Sequence, residues 1–132
     1  MNNTILKECT ERSLAGNITF PEVVQKLKAV GTERYIADLI GKRKTYFGDN
    51  DQTHSETVEF DGPPVAKEFD GGALKSAIID IQQGRINYRE FLNRIMSADC
   101  THYEVFITGM QAIYFGRDGS QHVERFGPAK EN

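Results

Sequence analysis

The feature that most constrains this chain is that its sequence fits onto itself. Residues 18–48, ITFPEVVQKLKAVGTERYIADLIGKRKTYFG, overlay residues 86–116, INYREFLNRIMSADCTHYEVFITGMQAIYFG, without a gap. The offset is a constant 68, so Ile18 meets Ile86, Glu22 meets Glu90, Tyr35 meets Tyr103 and Gly41 meets Gly109. It carries upstream, placing Leu6-Lys7 on Leu74-Lys75 and Gly16 on Gly84, and ten of the pairs between residues 6 and 48 are identical. Self-similarity at a fixed period is the mark of a tandem repeat. A unit of roughly 65 residues buries too little surface for a secure core of its own. The expected organisation is therefore one domain, 1–132, made of two repeats (about 1–60 and 73–126) joined by a linker over 61–72.

Periodicity fills in each repeat. Ile5, Leu6, Cys9, Ser13 and Leu14 give a helical stripe over 4–15 that Gly16 can end; Leu74, Ala77, Ile78 and Ile81 repeat it before Gly84. A second helix starts near residue 20, where Thr19 and Glu22 form a capping box, and Asn87 and Glu90 stand in the same relation. Phe20, Val23, Val24, Leu27 and Val30 line its apolar face, matched by Tyr88, Phe91, Leu92, Ile95 and Ala98. The period then changes to two over Tyr35–Leu39 and Tyr103–Ile107.

Turns with permissive backbone are expected at Gly41/Gly109 and Gly48/Gly116, around second strands over 43–47 and 111–115. Third strands are expected over 56–60 and 121–126. Asp118-Gly119 is a strong hairpin signal in the second copy. The first copy has instead a longer acidic loop, 49–53, where the repeat is expected to lose register. Prolines and glycines in DGPPVAKEFDGG, 61–72, should neither continue a strand nor readily start a helix. The tail, 127–132, should fray. The fold class is α+β: two helix-helix-three-strand units forming an antiparallel sheet of about six strands, with helices packed on one face.

Composition narrows the function classes. A net charge of −3 and a pI near 5.6 argue against a nucleic-acid partner, which normally requires a basic surface. No apolar run approaches the roughly 20 residues of a membrane span, and MNNTILKECTERSL lacks the pattern of a secretory leader. A cytoplasmic protein without membrane attachment is expected. Cys9 and Cys100 then read as free thiols. No phosphate loop, nucleophile elbow, paired-carboxylate pattern or metal-ligand spacing is present, so no cofactor or metal is expected.

The runs ERYIADLIGKRKTYFG and FLNRIMSADCTHYEVFITGMQAIYFGRDG, with the length of the chain, resemble the YbcV/YdfO-like family of small bacterial and prophage-borne proteins. The resemblance covers nearly the whole chain. It implies an α+β fold and a mobile-element setting. The family is a domain of unknown function, sometimes labelled phage envelope protein, and supplies no catalytic or binding residues.

Residues shared by the copies are candidates for chemistry, and each has a structural use. Tyr35/Tyr103 and Tyr46/Tyr114 suit strand packing, with an aromatic-lined cleft at the pseudo-symmetry axis as the alternative. His54 and His122 also match at the repeat offset, and His102 stands apart; surface or hydrogen-bonded histidine is the default against acid–base work or a metal. Lys42-Arg43-Lys44 is the one basic triplet, placed at a tight turn where phosphates or an acidic partner could dock. The acidic segment 49–56 lacks the glycine and terminal glutamate of a calcium loop and reads as a solvated turn.

Alternation also puts Ile36, Asp38 and Ile40, with Glu104, Phe106 and Thr108, on the face opposite the core. A face meeting only water would seldom carry Ile, Ile and Phe together, so it is a candidate for dimerisation or a partner unless the linker covers it. The leading expectation is a non-enzymatic binding or regulatory module acting through that face, with a homodimer among its forms. A small-ligand binder or enzyme using a cleft between the repeats is the alternative, and a virion component the third.

Overall fold

The structure, a computed structural model of the chain, describes residues 1–126; the tail expected to fray lies outside them. The elements run α1 (Asn3–Ala15), α2 (Phe20–Ala29), β1 (Thr32–Asp38), β2 (Arg43–Gly48), β3 (Thr53–Thr57), α3 (Gly71–Gln82), α4 (Tyr88–Met96), β4 (His102–Phe106), β5 (Gln111–Phe115) and β6 (Gln121–Arg125). Both capping boxes form as the sequence indicates: Thr19 with Glu22 starts α2, and Asn87 with Glu90 starts α4. Each cap is worth roughly 1 kcal/mol. Gly16, at φ 75°, closes α1.

Two boundaries differ from expectation. Gly71 and Gly72 are not linker but the first turn of α3, because the Asp70 carboxylate accepts the Ala73 amide and supports a start that glycine disfavours. The third strand of the first half is 53–57 rather than 56–60, and it keeps the offset of 68 from 121–125. The two hairpins are in fact alike. Gly48 donates to Gln52 and Gly116 to Ser120, both at 2.8 Å. Asp51 takes φ 67° where Gly119 takes φ 90°, so the acidic loop makes the same turn without glycine.

Among the described residues every positive-φ position pairs at this offset: Gly16 with Gly84, Gly31 with Asp99, Lys42 with Met110, Asp51 with Gly119. The permissive backbone of the β1–β2 and β4–β5 turns therefore falls one residue after Gly41 and Gly109. Gly41 is needed for another reason, since a Cβ there would stand 2.5 Å from the Asp38 carboxylate.

The strands form one antiparallel sheet in the order β3-β2-β1-β4-β5-β6. Its centre is the β1–β4 ladder, where Ile36 faces Glu104, Arg34 faces Phe106 and Asp38 faces His102. Ile36 and Glu104 are themselves equivalent in the repeat, so a pseudo-two-fold axis passes between them and exchanges the other two pairs.

Four helices cover one side of this sheet. Leu6, Leu27, Leu74, Leu92 and Ile95 are fully buried against Tyr35, Ala37, Tyr46, Tyr103, Val105 and Tyr114. Each such side chain contributes roughly 1.5–3 kcal/mol relative to exposure. The linker runs along the end of α4: Phe60 enters the core, Ala66 donates to Met96 and Asp70 to Ala98. Arg117 fastens it, with Nη2 on the Val65 carbonyl at 2.9 Å and Nε on Ala66 at 3.1 Å, while also pairing with the buried Asp99 at 3.1 Å. Among the described residues no helix is long and apolar enough to cross a membrane.

Because the two halves meet along β1–β4 and share one helix layer, neither leaves a finished surface when alone. Fragments cut at residue 66 are expected to lack cooperative monomeric unfolding and to regain helix signal on equimolar mixing, followed by circular dichroism. A half that folds alone as a monomer would contradict this.

Candidate functional site

Strand register arranges the face away from the helices into three cross-strand rows. One row reads Thr57, Arg43, Asp38, His102, Phe115, Gln121; the middle row reads Ser55, Thr45, Ile36, Glu104, Ile113, Val123. The last row reads Thr53, Phe47, Arg34, Phe106, Gln111, Arg125. Ile36, Phe47, Phe106, Ile113 and Phe115 are half-buried by their neighbours alone, Val123 is 49% exposed, and Ile40, at the rim, is 61% exposed. Among the described residues no element crosses this face. The predicted pair Ile36 and Phe106 sit on it, in adjacent rows.

Positions 68 residues apart form a matching motif here that periodicity alone did not single out. Arg34 lies over the Phe47 ring with Cζ 3.8 Å from its centroid, and Nη1 donates to Glu104 at 2.8 Å. At the equivalent positions of the other half, the His102 ring stacks on Phe115, centroids 4.6 Å apart and planes within 4°. A planar nitrogen-bearing group over a phenylalanine therefore occurs twice, related by the pseudo-two-fold. Stacks of this kind contribute roughly 0.5–1 kcal/mol and hold the paired groups against each other across neighbouring strands. The signal available in sequence was the alignment of Arg34 with His102 and Phe47 with Phe115.

Beneath the helices, all five tyrosines of the chain gather around the axis. Tyr35 packs on Tyr46 at 5.4 Å and on Tyr103 at 6.5 Å, and Tyr103 on Tyr114 at 5.2 Å. Tyr88 hydrogen-bonds Tyr103 through their hydroxyls, and Tyr46 bonds Thr10 at 2.7 Å. The centre is packed rather than open, so Tyr35 and Tyr103 line no cleft.

Lys44 belongs to this cluster. The sequence places it in a basic turn, but alternation along β2 carries it inward, where it is 3% exposed. Its ammonium lies 4.6 Å from the Tyr88 ring centroid and 5.4 Å from that of Tyr35. Burial lowers its pKa, and the Tyr88 and Tyr46 oxygens raise it by more, leaving the balance upward. The triplet is thus no patch: Lys42 is exposed and paired with Asp61 at 3.0 Å, Arg43 is on the open face, and Lys44 is in the core.

The histidines are dispersed. His54 and His122 sit on the two edge strands, each bonded to the glutamate two residues on, at 2.5 Å to Glu56 and 3.0 Å to Glu124. A lysine from the overlying helix reaches each glutamate, Lys7 at 4.0 Å and Lys75 at 3.7 Å. This Lys–Glu–His trio is itself repeated, and fastens α1 and α3 to the sheet edges at opposite ends. His102 lies on the other side of the sheet. Two surface hollows, of about 520 Å³ beside α1 and β3 and about 260 Å³ near the β1 start, contain no histidine or tyrosine. Among the described residues no three His, Cys, Asp or Glu side chains converge as metal ligands.

These features define a class: a two-layer α+β protein whose helices cover one side of a six-stranded antiparallel sheet and leave a mixed aromatic, apolar and charged face on the other. The chain belongs to the family described as a protein of unknown function, DUF1398, whose family model matches residues 7–124. No curated protein matches it.

The buried polar cluster yields two expectations. Tyr88→Phe should lower stability by roughly 1–3 kcal/mol in urea titrations by stranding the Tyr103 hydroxyl. The double variant Tyr88→Phe with Tyr103→Phe should then lose less than the sum of the singles.

Burial also raises the pKa of Tyr35, Tyr103 and Tyr114 above the ordinary 10.0 and pushes the Cys100 thiol from 9.0 to about 12. The folded chain therefore keeps protons that the unfolded chain releases. That stability is fully present below pH 9.0 and is lost as pH rises toward about 12. Tyrosinate absorbance should grow together with the loss of the folded signal.

Proposed function

We propose that this protein is a non-enzymatic binding or regulatory module that acts through the open face of its sheet, in the bacterial and prophage setting of the YbcV/YdfO-like proteins it resembles. The observation that carries the reading is the duplicated stack, Arg34 on Phe47 and His102 on Phe115, set among Ile36, Phe106, Ile113 and Val123 with nothing across it among the described residues. Apolar and aromatic groups interleaved with arginine make up the composition that recognition surfaces favour. A reading as an enzyme or cleft binder draws no comparable support, because the histidines are distributed over both edges and both faces and the tyrosines are packed away. The virion label finds no counterpart in the arrangement of residues.

The test is affinity capture from host lysate with wild type and with Ile36→Glu/Phe106→Glu as baits. The reading expects a protein retained by wild type to be lost from the double variant, whose unfolding midpoint stays near wild type. A helix-face control, Lys28→Glu, should retain it. Arg43→Ala should weaken capture, whereas Lys42→Ala should not. Equal capture by all baits would remove the sheet face from consideration.

A further inference from the structure

We infer that the occupant of the open face is a second copy of this chain, stacked sheet to sheet across a two-fold axis along the middle row of Ile36, Glu104 and Ile113. This rests on the reading of that face as a docking surface and adds the identity of the partner.

The rows themselves carry the inference. A two-fold along the middle row brings the outer row containing Asp38, Arg43 and His102 over the partner's other outer row. Asp38 then meets the partner's Arg34, Arg43 meets the partner's Phe47, and His102 meets the partner's Phe106. Both ends of each ionic contact arise twice, as an isologous interface requires. Along the axis, Ile36, Ile113 and Val123 each meet their own counterpart. Glu104 does too, but it enters already held by Arg34 at 2.8 Å, so it brings no unpaired carboxylate to the axis. The alternative axis, parallel to the strands, would set Ile36 on the partner's Glu104 and forfeit that apolar seam.

Charge and area agree with such a partner. The face holds Arg34, Arg43 and Arg125 against Asp38 and Glu104, a mixture of signs that complements itself and offers no phosphate chain a basic track. Six strands about 4.8 Å apart and five residues long present roughly 500 Å² of flat face per copy. Two copies would bury roughly 1,000 Å² in all, the lower bound for a specific interface, so the dimer is concentration-dependent. Sheets packed in this way stack about 10 Å apart and cross at about 30°.

Sedimentation velocity of the full chain over a concentration series should show a monomer–dimer equilibrium. Asp38→Arg and Arg34→Asp should each raise the dissociation constant at least roughly tenfold by setting like charges face to face. An equimolar mixture of the two should restore the dimer, because both facing pairs between positions 34 and 38 are again opposite in sign. Should Arg34→Asp fail to fold, Ile36→Cys keeps the test: a short bis-maleimide should join it to its own counterpart, while Lys28→Cys on the helix side should stay unlinked.

A strict monomer at every concentration overturns the inference, as does a dimer indifferent to both charge reversals. A single-stranded oligonucleotide that binds wild type and not Ile36→Glu/Phe106→Glu would assign the face to nucleic acid instead. If the protein is a monomer but that double variant still loses a captured protein, self-pairing fails and the docking reading stands; if capture is also unchanged, both fail.

Discussion

Antiparallel pairing of β1 with β4 decides how the rest of the molecule is arranged. Without it each half is a three-stranded sheet with an unpaired inner edge and a helix pair too small to cover it. With it, the backbone hydrogen bonds of both inner edges are satisfied. The tyrosines of the two halves come within packing distance, and the helices form one layer over one core. The axis through Ile36 and Glu104 then fixes what each side of the sheet presents. Tyr35 and Tyr103 go to the helix side and the flanking rows to the other.

Where the halves differ, the differences have uses. Gly31 and Asp49 of the first half correspond to Asp99 and Arg117 of the second, and that substituted pair grips the linker at Val65 and Ala66. The linker has only one place to lie, so one half had to supply the grip. Lys44 stands where the second half has a buried Ala112, among oxygen-bearing rings that favour its charge. By contrast the Lys–Glu–His trio is common to both halves, and its place between first helix and edge strand is structural in each.

The open face unites the functional reading. A six-stranded sheet with helices on one side alone must leave its second side to water, to another chain or to a copy of itself. Alternating side chains on that side show aromatic rings stacked with Arg34 and His102, the apolar Ile36, Ile113 and Val123 along the middle row, and charges of both signs. Rings pinned in this way lose little freedom on docking, which favours contact. The half-burial of Phe47, Phe106 and Phe115 comes from neighbours in the same sheet, so the monomer tolerates the face while a partner would still remove apolar surface from water.

The sequence alone determined the four helices with both capping boxes, the alternation of the first strand in each half, the fold class, and the outward setting of Ile36 and Phe106. Each of these signals is contained within a few consecutive residues or in the comparison of one half with the other. It misplaced the third strand because the first hairpin has no glycine at its tip, where Asp51 takes the left-handed backbone that Gly119 takes in the other half. It also read Lys42-Arg43-Lys44 as one patch when alternation divides it between turn, face and core. Strand order, the rows, the stacks of Arg34 on Phe47 and His102 on Phe115, the closed tyrosine centre and the separation of the histidines were decided only by the tertiary structure. They depend on which strands lie side by side and in what register, and the central pairing joins residues about 70 positions apart, beyond the reach of any local preference.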